Sequence, residues 1–170
     1  PRVAKIHPRR NLLHRPAIAN VDQMILVATL RSPELDLLTL DRCIFSAEVN
    51  DIRTILVWNK TDLLTAENLQ ILSELEETYG SMGYPTLRVS ALNGEGTEEV
   101  AYRCKGHTSC LAGLSGVGKS TVLAHIFPEV EFRTSEISEG SQRGVHTTTS
   151  TVLLRLAEGG YVADTPGFSM

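Results

Sequence analysis

Cysteine, aromatic residues and long apolar runs are all scarce in this 170-residue sequence. Its three cysteines are too few, and odd in number, for a disulfide framework, so we expect reduced thiols and a cytoplasmic protein. No run approaches the ~18 uncharged apolar residues of a membrane span. A basic excess is lacking as well, because the formal net charge is −4, and this argues against DNA as a partner. We therefore expect one soluble globular domain that acts as a monomer, away from membranes and DNA.

The first 16 residues differ in charge from the rest, because they contain basic residues and no acidic one. A solvated linker and a basic arm that contacts phosphate are both compatible with this composition. We assign residues 1–16 to a basic linker and residues 17–170 to the domain. The basic residues of the linker are Arg2, Lys5, Arg9, Arg10 and Arg15.

Short apolar runs, typical of buried strands, alternate along the chain with apolar residues at helical spacing. This alternation predicts an α/β fold with a mostly parallel sheet, whose ligands bind at the carboxyl ends of the strands. Turn residues 158–160 predict a hairpin, and hence one antiparallel edge. The predicted strands cover residues 22–29, 54–59, 86–90, 108–113, 150–156 and 161–164, and residues 128–147 are predicted to form a long loop. The predicted helices cover residues 35–50, a segment capped by Thr65 that ends at Gly80 or Gly83, and residues 97–103 and 119–126.

Two predicted helices have a recognisable apolar face. The first is expected to bury Leu37, Leu40, Ile44 and Ala47. The second is expected to bury Leu69, Leu72, Leu75 and Tyr79.

The strongest functional signal is the segment Gly113–Ser120, which has the GxxxxGK[ST] pattern of a phosphate-binding loop. Glycines allow its backbone N–H groups to point inward, and the helix that follows adds its positive N-terminal end. Lys119 can reach the β- and γ-phosphates, and the Ser120 hydroxyl can bind Mg²⁺. The pattern lies between a predicted strand and a predicted helix, as this chemistry requires.

A phosphate-binding loop does not determine which nucleotide base is bound. The segment Asn59-Lys60-Thr61-Asp62, at the end of a buried strand, is expected to select the base. The Asp62 carboxylate can accept hydrogen bonds from the ring N–H and the exocyclic amine of guanine, whereas adenine would leave it unpaired. Such a mismatch costs roughly 1–3 kcal/mol or more in a buried site. Lys60 would lie along the base and Asn59 would hold the loop. A backbone N–H of Ser90-Ala91-Leu92 can reach the guanine O6.

Two further segments are candidates for contact with the γ-phosphate and the metal. Asp164-Thr165-Pro166-Gly167 follows the last strand, so that Asp164 can hold Mg²⁺ through water and the Gly167 N–H can contact the γ-phosphate. Thr148, with Thr147 as the alternative, is the candidate metal ligand from the long loop, although a threonine-rich strand start is also possible. The predicted nucleotide-contacting residues are Asn59, Lys60, Thr61, Asp62, Ser90, Ala91, Leu92, Gly113, Leu114, Ser115, Gly116, Val117, Gly118, Lys119, Ser120, Thr121 and Gly167.

These motifs stand in a permuted order, because NKTD and SAL precede the phosphate loop and DTPG instead of following them. Joining the two termini of the usual GTPase fold and opening the chain at another loop produces this order, which is feasible because domain termini often lie close together. With this order and the segments PRRNLLHRPAIANVDQ, LDR, VSALNGEGTEEV and RGVHTTT, the sequence resembles the ribosome small-subunit-dependent GTPase A family, the YjeQ-type circularly permuted GTPases. The resemblance implies a three-layer P-loop GTPase fold.

The resemblance also implies partners and neighbouring domains. It implies a β-barrel domain before residue 1 and a zinc-binding helical domain after residue 170, with zinc expected only there. It further implies GTP, GDP and Mg²⁺ as ligands, and a switch function in late maturation of the small ribosomal subunit. The subunit and its rRNA would be the partners, and the subunit would stimulate hydrolysis.

Hydrolysis by the domain alone is expected to be slow. Ras-like proteins orient the attacking water with a glutamine after DxxG, and Phe168 occupies that position here. His146 is the internal candidate for this role, although a switch-loop histidine without it is also possible. Arg143 can stabilise charge in cis or contact RNA phosphate instead.

Three other functions stay open at this stage. They are a nucleotide-gated RNA- or protein-binding module, a permuted GTPase of large-subunit assembly, and an ATPase or small-molecule kinase, which Asp62 disfavours. A metal site at Cys104, His107 and Cys110 is also conceivable, but it lacks a fourth ligand nearby.

Overall fold

A computed structural model describes residues 3, 5–14, 16–130 and 152–164 of the chain. These residues contain eight strands, four α-helices and one short 3-10 helix (Thr61–Leu63), and from Gln23 to Ile126 strands and α-helices alternate close to the predicted bounds. The strands are β1 (Leu12–Leu13), β2 (Ile18–Ala19), β3 (Gln23–Ala28), β4 (Arg53–Trp58), β5 (Thr86–Arg88), β6 (Thr108–Ala112), β7 (Val152–Arg155) and β8 (Tyr161–Asp164). The helices are α1 (Leu37–Glu48), α2 (Ala66–Ser81), α3 (Thr97–Cys104) and α4 (Lys119–Ile126).

Six strands form the central sheet, in the order β5-β4-β3-β6-β8-β7. Every neighbouring pair is parallel except β7 and β8, which form the predicted antiparallel hairpin at one edge. All six residues of β3, in the middle of the sheet, are buried. A continuous apolar run is typical of a parallel strand that is covered on both faces, and the prediction of a mostly parallel sheet is confirmed.

Helices cover both faces of the sheet, as three layers require. Alternate residues of a strand point to opposite faces, and β3 divides its side chains accordingly between two apolar clusters. Met24 and Leu26 pack in the cluster that contains residues of α1 and α2, whereas Ile25 and Val27 pack in the cluster with α3 and α4. The predicted three-layer α/β architecture is confirmed.

The helix starts agree with the sequence better than the helix faces do. Thr65 caps α2, as predicted, by accepting a hydrogen bond from the Asn68 N–H. Leu37 was expected in the core, but it is the first residue of α1 and is 46% exposed. Leu69 is 37% exposed, in the first turn of α2. α2 ends at Ser81, and Gly83, one of the two predicted glycines, terminates it with a left-handed φ of +94° directly after the cap residue Met82.

The N-terminal segment requires a correction of the predicted boundary at residue 16. Strands β1 and β2 pair across that boundary, and Leu13 is completely buried in the cluster on the α1 side of the sheet. The Asn11 side chain both donates to and accepts from the backbone of Val21, while Arg10 forms an ion pair with Asp22 at 2.9 Å. Residues 10–13 therefore belong to the domain, because these contacts hold them on it. The described residues before Arg10 are exposed.

Cys104, at the end of α3, and Cys110, in β6, lie in the apolar clusters on opposite sides of the sheet, which separates two of the three residues considered for a metal site. Each is completely buried among apolar side chains. Among the described residues there is no group of three or more His, Cys, Asp or Glu that could hold a metal ion. None of the helices in this part of the chain is long and apolar enough to cross a membrane.

Candidate nucleotide-binding site

The site lies at the carboxyl ends of the neighbouring strands β3 and β6, whose connections lead to opposite sides of the sheet. From β3 the chain runs through α1 to β4, whereas from neighbouring β6 it runs through α4 toward β8 on the opposite side. The loops after β3 and β6 therefore separate at the carboxyl ends of these strands, and such a switch point is the usual ligand crevice of an open α/β sheet.

The phosphate loop has a backbone that requires glycine at two positions. Gly113 has a φ of +141°, and a Cβ there would lie 2.2 Å from the Val27 carbonyl oxygen. Gly118, with a φ of +94°, would place a Cβ 2.3 Å from Nδ2 of Asn59. The loop thus packs directly against β3 and against the NKTD segment, and α4 begins immediately after it at Lys119. Such a turn before a helix N-terminus provides the inward-pointing N–H groups that bind anions.

Lys119 is buried inside this loop. Its Nζ donates to the carbonyl oxygens of Gly113 and Leu114, both at 2.9 Å. Burial lowers the pKa of Lys119 to about 8, although the nearby Asp164 carboxylate acts in the opposite direction. Burial likewise raises the pKa of Asp164, and the Lys119 ammonium opposes that shift. Within the described part of the chain, this buried ammonium has carbonyl oxygens as its hydrogen-bond partners, and such a group is well suited to bind an anion such as phosphate.

Asn59 joins the phosphate loop to the SAL segment. Its Nδ2 donates to the Val117 carbonyl oxygen at 2.8 Å, and its Oδ1 accepts from the Ala91 N–H at 3.0 Å. The side chain is 3% exposed, so both hydrogen bonds are shielded from water. Three predicted segments, separated by up to 58 residues in sequence, therefore meet at this one amide.

Asp62 and Ser90 form the second link between predicted segments. The Ser90 hydroxyl donates to Oδ1 of Asp62 at 2.6 Å, which fixes the orientation of an otherwise exposed carboxylate. Thr61 does not point toward the opening, because its N–H and its hydroxyl both donate to the Val89 carbonyl oxygen. Its function is therefore to hold the NKTD loop on the end of the neighbouring strand.

Lys60 connects the NKTD segment to a third loop, which the sequence did not indicate. Its Nζ donates to the Gly116 carbonyl oxygen at 2.7 Å and also to the Ser32 carbonyl oxygen. Ser32 belongs to the loop between β3 and α1, which carries no nucleotide motif. Its position directly after the central strand, at the switch point, was the only available signal.

The other predicted residues divide into two groups. Ser120 and Thr121 are partly buried in the first turn of α4, and Ser115 is exposed in the phosphate loop. Leu92, the last residue of the SAL segment, is 76% exposed. The predictions for Arg143, His146, Thr147, Thr148, Gly167 and Phe168 concern residues outside the described part of the chain.

Comparison with known proteins identifies the family. The model of the RsgA GTPase family matches residues 6–170. The chain belongs to the RsgA GTPase family. The crystal structure of YjeQ from Thermotoga maritima superposes with a TM-score of 0.81 at 42% identity, over 97% of this chain and 54% of that one. The structure described as YloQ, a circularly permuted GTPase, gives 0.75 at 30% identity over 98% and 51%. The predicted family and its permuted GTPase fold are confirmed.

Relatives named small ribosomal subunit biogenesis GTPase RsgA match nearly the whole chain. The protein of Thermotoga petrophila is 48% identical over 161 residues, which are 95% of this chain and 54% of the relative. That of Moorella thermoacetica is 46% identical over 167 residues, or 98% and 56%. This RsgA-family chain thus spans about half the length of the curated relatives it matches.

Proposed function

We propose that this domain binds GTP and GDP and hydrolyses GTP as a switch in late maturation of the small ribosomal subunit. The observation that supports this most directly is the Asn59 amide, which holds the phosphate loop and the SAL segment at fixed positions relative to one another. A nucleotide has its phosphates and its base at opposite ends, and these two loops are suited to one end each. The family membership and the names of the relatives support the same function.

Guanine recognition is assigned to Asp62. The Ser90 hydroxyl occupies one side of its carboxylate, and the ionised group has acceptor capacity left for the ring N–H and the exocyclic amine of guanine. Adenine has an acceptor at that ring position, so it would leave the carboxylate unpaired. The predicted donor to the guanine O6 is a backbone N–H of the SAL segment, but the Ala91 N–H already donates to Oδ1 of Asn59. The guanine O6 must therefore share the Ala91 N–H or accept from the adjacent Leu92 N–H.

The phosphate end also fits a magnesium ion. Mg²⁺ prefers oxygen ligands. The Ser120 hydroxyl at the start of α4 would bind the ion, the Asp164 carboxylate at the end of β8 would hold it through water, and Thr148 is the proposed ligand from the long loop. The ion would neutralise charge on the β- and γ-phosphates. Lys119, already buried in the loop, would exchange its two carbonyl partners for phosphate oxygens, and the Gly167 N–H would contact the γ-phosphate.

The domain has no glutamine after DxxG to orient a water molecule, since Phe168 occupies that position. We therefore propose slow intrinsic hydrolysis. The missing group would be His146 or a group of the ribosomal partner. Arg143 would stabilise charge or contact rRNA. The small subunit and its rRNA are the proposed partners, and a preceding β-barrel and a following zinc-binding domain belong to the same proposal.

Single-turnover GTP hydrolysis by the natural full-length protein tests this function. We expect a slow rate alone, a large acceleration by small ribosomal subunits, and none by large subunits. Lys119→Ala should abolish the accelerated rate, because it removes the phosphate-binding ammonium. Acceleration by large subunits alone would identify the other branch of permuted GTPases. Tight nucleotide binding without any acceleration would indicate a nucleotide-gated binding module instead. His146→Ala with an unchanged accelerated rate would assign the missing group to the partner.

A further inference from the structure

The loop between β3 and α1, residues 29–36, packs directly against the phosphate loop. Lys60 joins the two, because its ammonium donates simultaneously to the carbonyl oxygens of Ser32 and Gly116. Pro33 also lines a small cavity together with Gly113 and Val117 of the phosphate loop. This loop is therefore part of the surroundings of the nucleotide, although it contains no nucleotide motif.

Two residues that contact each other across this junction have unusual backbone conformations. Lys60 has a φ of 62° and Ser32 a φ of 52°, both in the left-handed region that non-glycine residues rarely adopt. Such conformations persist only where the surrounding structure holds them, and they are enriched at ligand clamps and active sites. Some contact must therefore keep the Ser32 carbonyl directed at Lys60.

Thr29 provides that contact. It follows the last residue of β3, is 2% exposed, and donates from its hydroxyl to the Pro33 carbonyl oxygen at 2.7 Å. This hydrogen bond closes the turn that contains Ser32. On the other side of the turn, Asp36 caps α1 by accepting from the Thr39 N–H and hydroxyl. The turn is thus held at both ends, by Thr29 on the central strand and by the cap of α1.

We propose that Thr29 is a positioning residue for the nucleotide. Its hydroxyl holds the Ser32 turn in place, the Ser32 carbonyl holds the Lys60 ammonium, and Lys60 holds Gly116 of the phosphate loop. Thr29 itself does not contact the nucleotide, and it acts by slowing the opening of the phosphate loop that precedes release. This inference rests on the proposed binding of guanine nucleotides.

The test is a double-mutant cycle on the dissociation rate of fluorescent GDP. Thr29→Val keeps the shape of the side chain and removes the donor, so GDP should dissociate about three- to tenfold faster, as expected for loss of one buried hydrogen bond. Thr29→Ser, the matched control, keeps the hydroxyl and should remain within about twofold of the wild type. In a Lys60→Met background, Thr29→Val should have no further effect, because the ammonium on which it acts is absent.

Each result has one interpretation. A dissociation rate unchanged by Thr29→Val, in a protein that binds GDP, would overturn the positioning function of Thr29. Equal acceleration by Thr29→Val in the presence and absence of the Lys60 ammonium would also overturn it, because the effect would then not pass through Lys60. Melting temperatures of all variants show whether each one is folded. Failure of the wild-type protein to bind GDP would instead refute the proposed function.

Discussion

If Lys119 binds the phosphates as proposed, its titration should make nucleotide affinity depend on pH in a range where most lysines do not titrate. With a pKa of about 8 in the nucleotide-free protein, Lys119 is about nine-tenths charged at pH 7 and about one-tenth charged at pH 9. In the proposed site, the nucleotide phosphates would bind the charged form of Lys119 and raise its pKa. The dissociation constant of GDP should therefore increase about tenfold from pH 7 to pH 9, or about 1.4 kcal/mol.

Equilibrium titration with fluorescent GDP across this pH range measures the effect. Lys119→Arg is the matched control, because arginine keeps its charge throughout. The guanine ring N–H also titrates in alkaline solution, but both proteins share that contribution, so the ratio of their dissociation constants isolates Lys119. Calorimetry in buffers of different ionisation enthalpy should show proton uptake on binding near pH 8.

The same ionisation affects the stability of the nucleotide-free protein. Because the folded-state pKa of Lys119 is below its ordinary value of 10.5, the unfolded state binds more protons between the two values. The free energy of unfolding contributed by this residue therefore rises with pH through that window.

The GDP titration has a result that would contradict this reasoning. If the ratio of the dissociation constants of the wild-type protein and Lys119→Arg stayed constant from pH 7 to pH 9, the inference that phosphate binds a buried, pKa-shifted Lys119 would be refuted.

Three substitutions test the contacts that build the site and the domain. Asn59→Ala removes two buried hydrogen bonds and should lower the free energy of unfolding, measured by urea denaturation, by about 2–4 kcal/mol. A loss below ~0.5 kcal/mol would contradict the view that Asn59 joins the phosphate loop to the SAL segment. Gly118→Ala should weaken GDP binding by about tenfold or more, because the added Cβ would lie 2.3 Å from the Asn59 amide. Gly80→Ala is the control, since a Cβ added there would lie in open space, and it should leave GDP binding unchanged. Leu13→Ala should lower the free energy of unfolding by about 2–4 kcal/mol, because Leu13 is completely buried. Leu38→Ala, the control at a 60% exposed position, should lower it by less than ~0.5 kcal/mol, and equal effects would place Leu13 outside the core.

The central sheet and the phosphate loop were predictable because their signals are local. The buried run of β3 and the glycine spacing around Lys119 each lie within a few consecutive residues. Once the strands were assigned as parallel, the loops at their carboxyl ends had to converge, and Asn59 was expected to hold one of them. That Asn59 hydrogen-bonds both the Val117 carbonyl and the Ala91 N–H could not be predicted from the sequence.

The features that could not be predicted depend on contacts between distant segments. Leu13 lies in a strand of only two residues, and its burial depends on packing in the apolar cluster on the α1 side of the sheet rather than on any periodicity. Leu37 fits the apolar spacing of α1, yet it lies at the first position of the helix and is 46% exposed. The bond from Lys60 to Ser32 requires two left-handed residues from separate loops, and no sequence pattern indicates that geometry.

The central claim is that Asp62 makes this a guanine-nucleotide site, and competition binding tests it directly. Asp62→Asn replaces an acceptor by an amide donor, so it should weaken GDP binding by about 100-fold or more. The same variant should strengthen binding of xanthosine diphosphate, whose 2-oxo group accepts from that amide. The account predicts this exchange of preference, together with negligible ADP binding by the wild-type protein. Equal competition by ADP and GDP, or GDP affinity unchanged by Asp62→Asn, would contradict it.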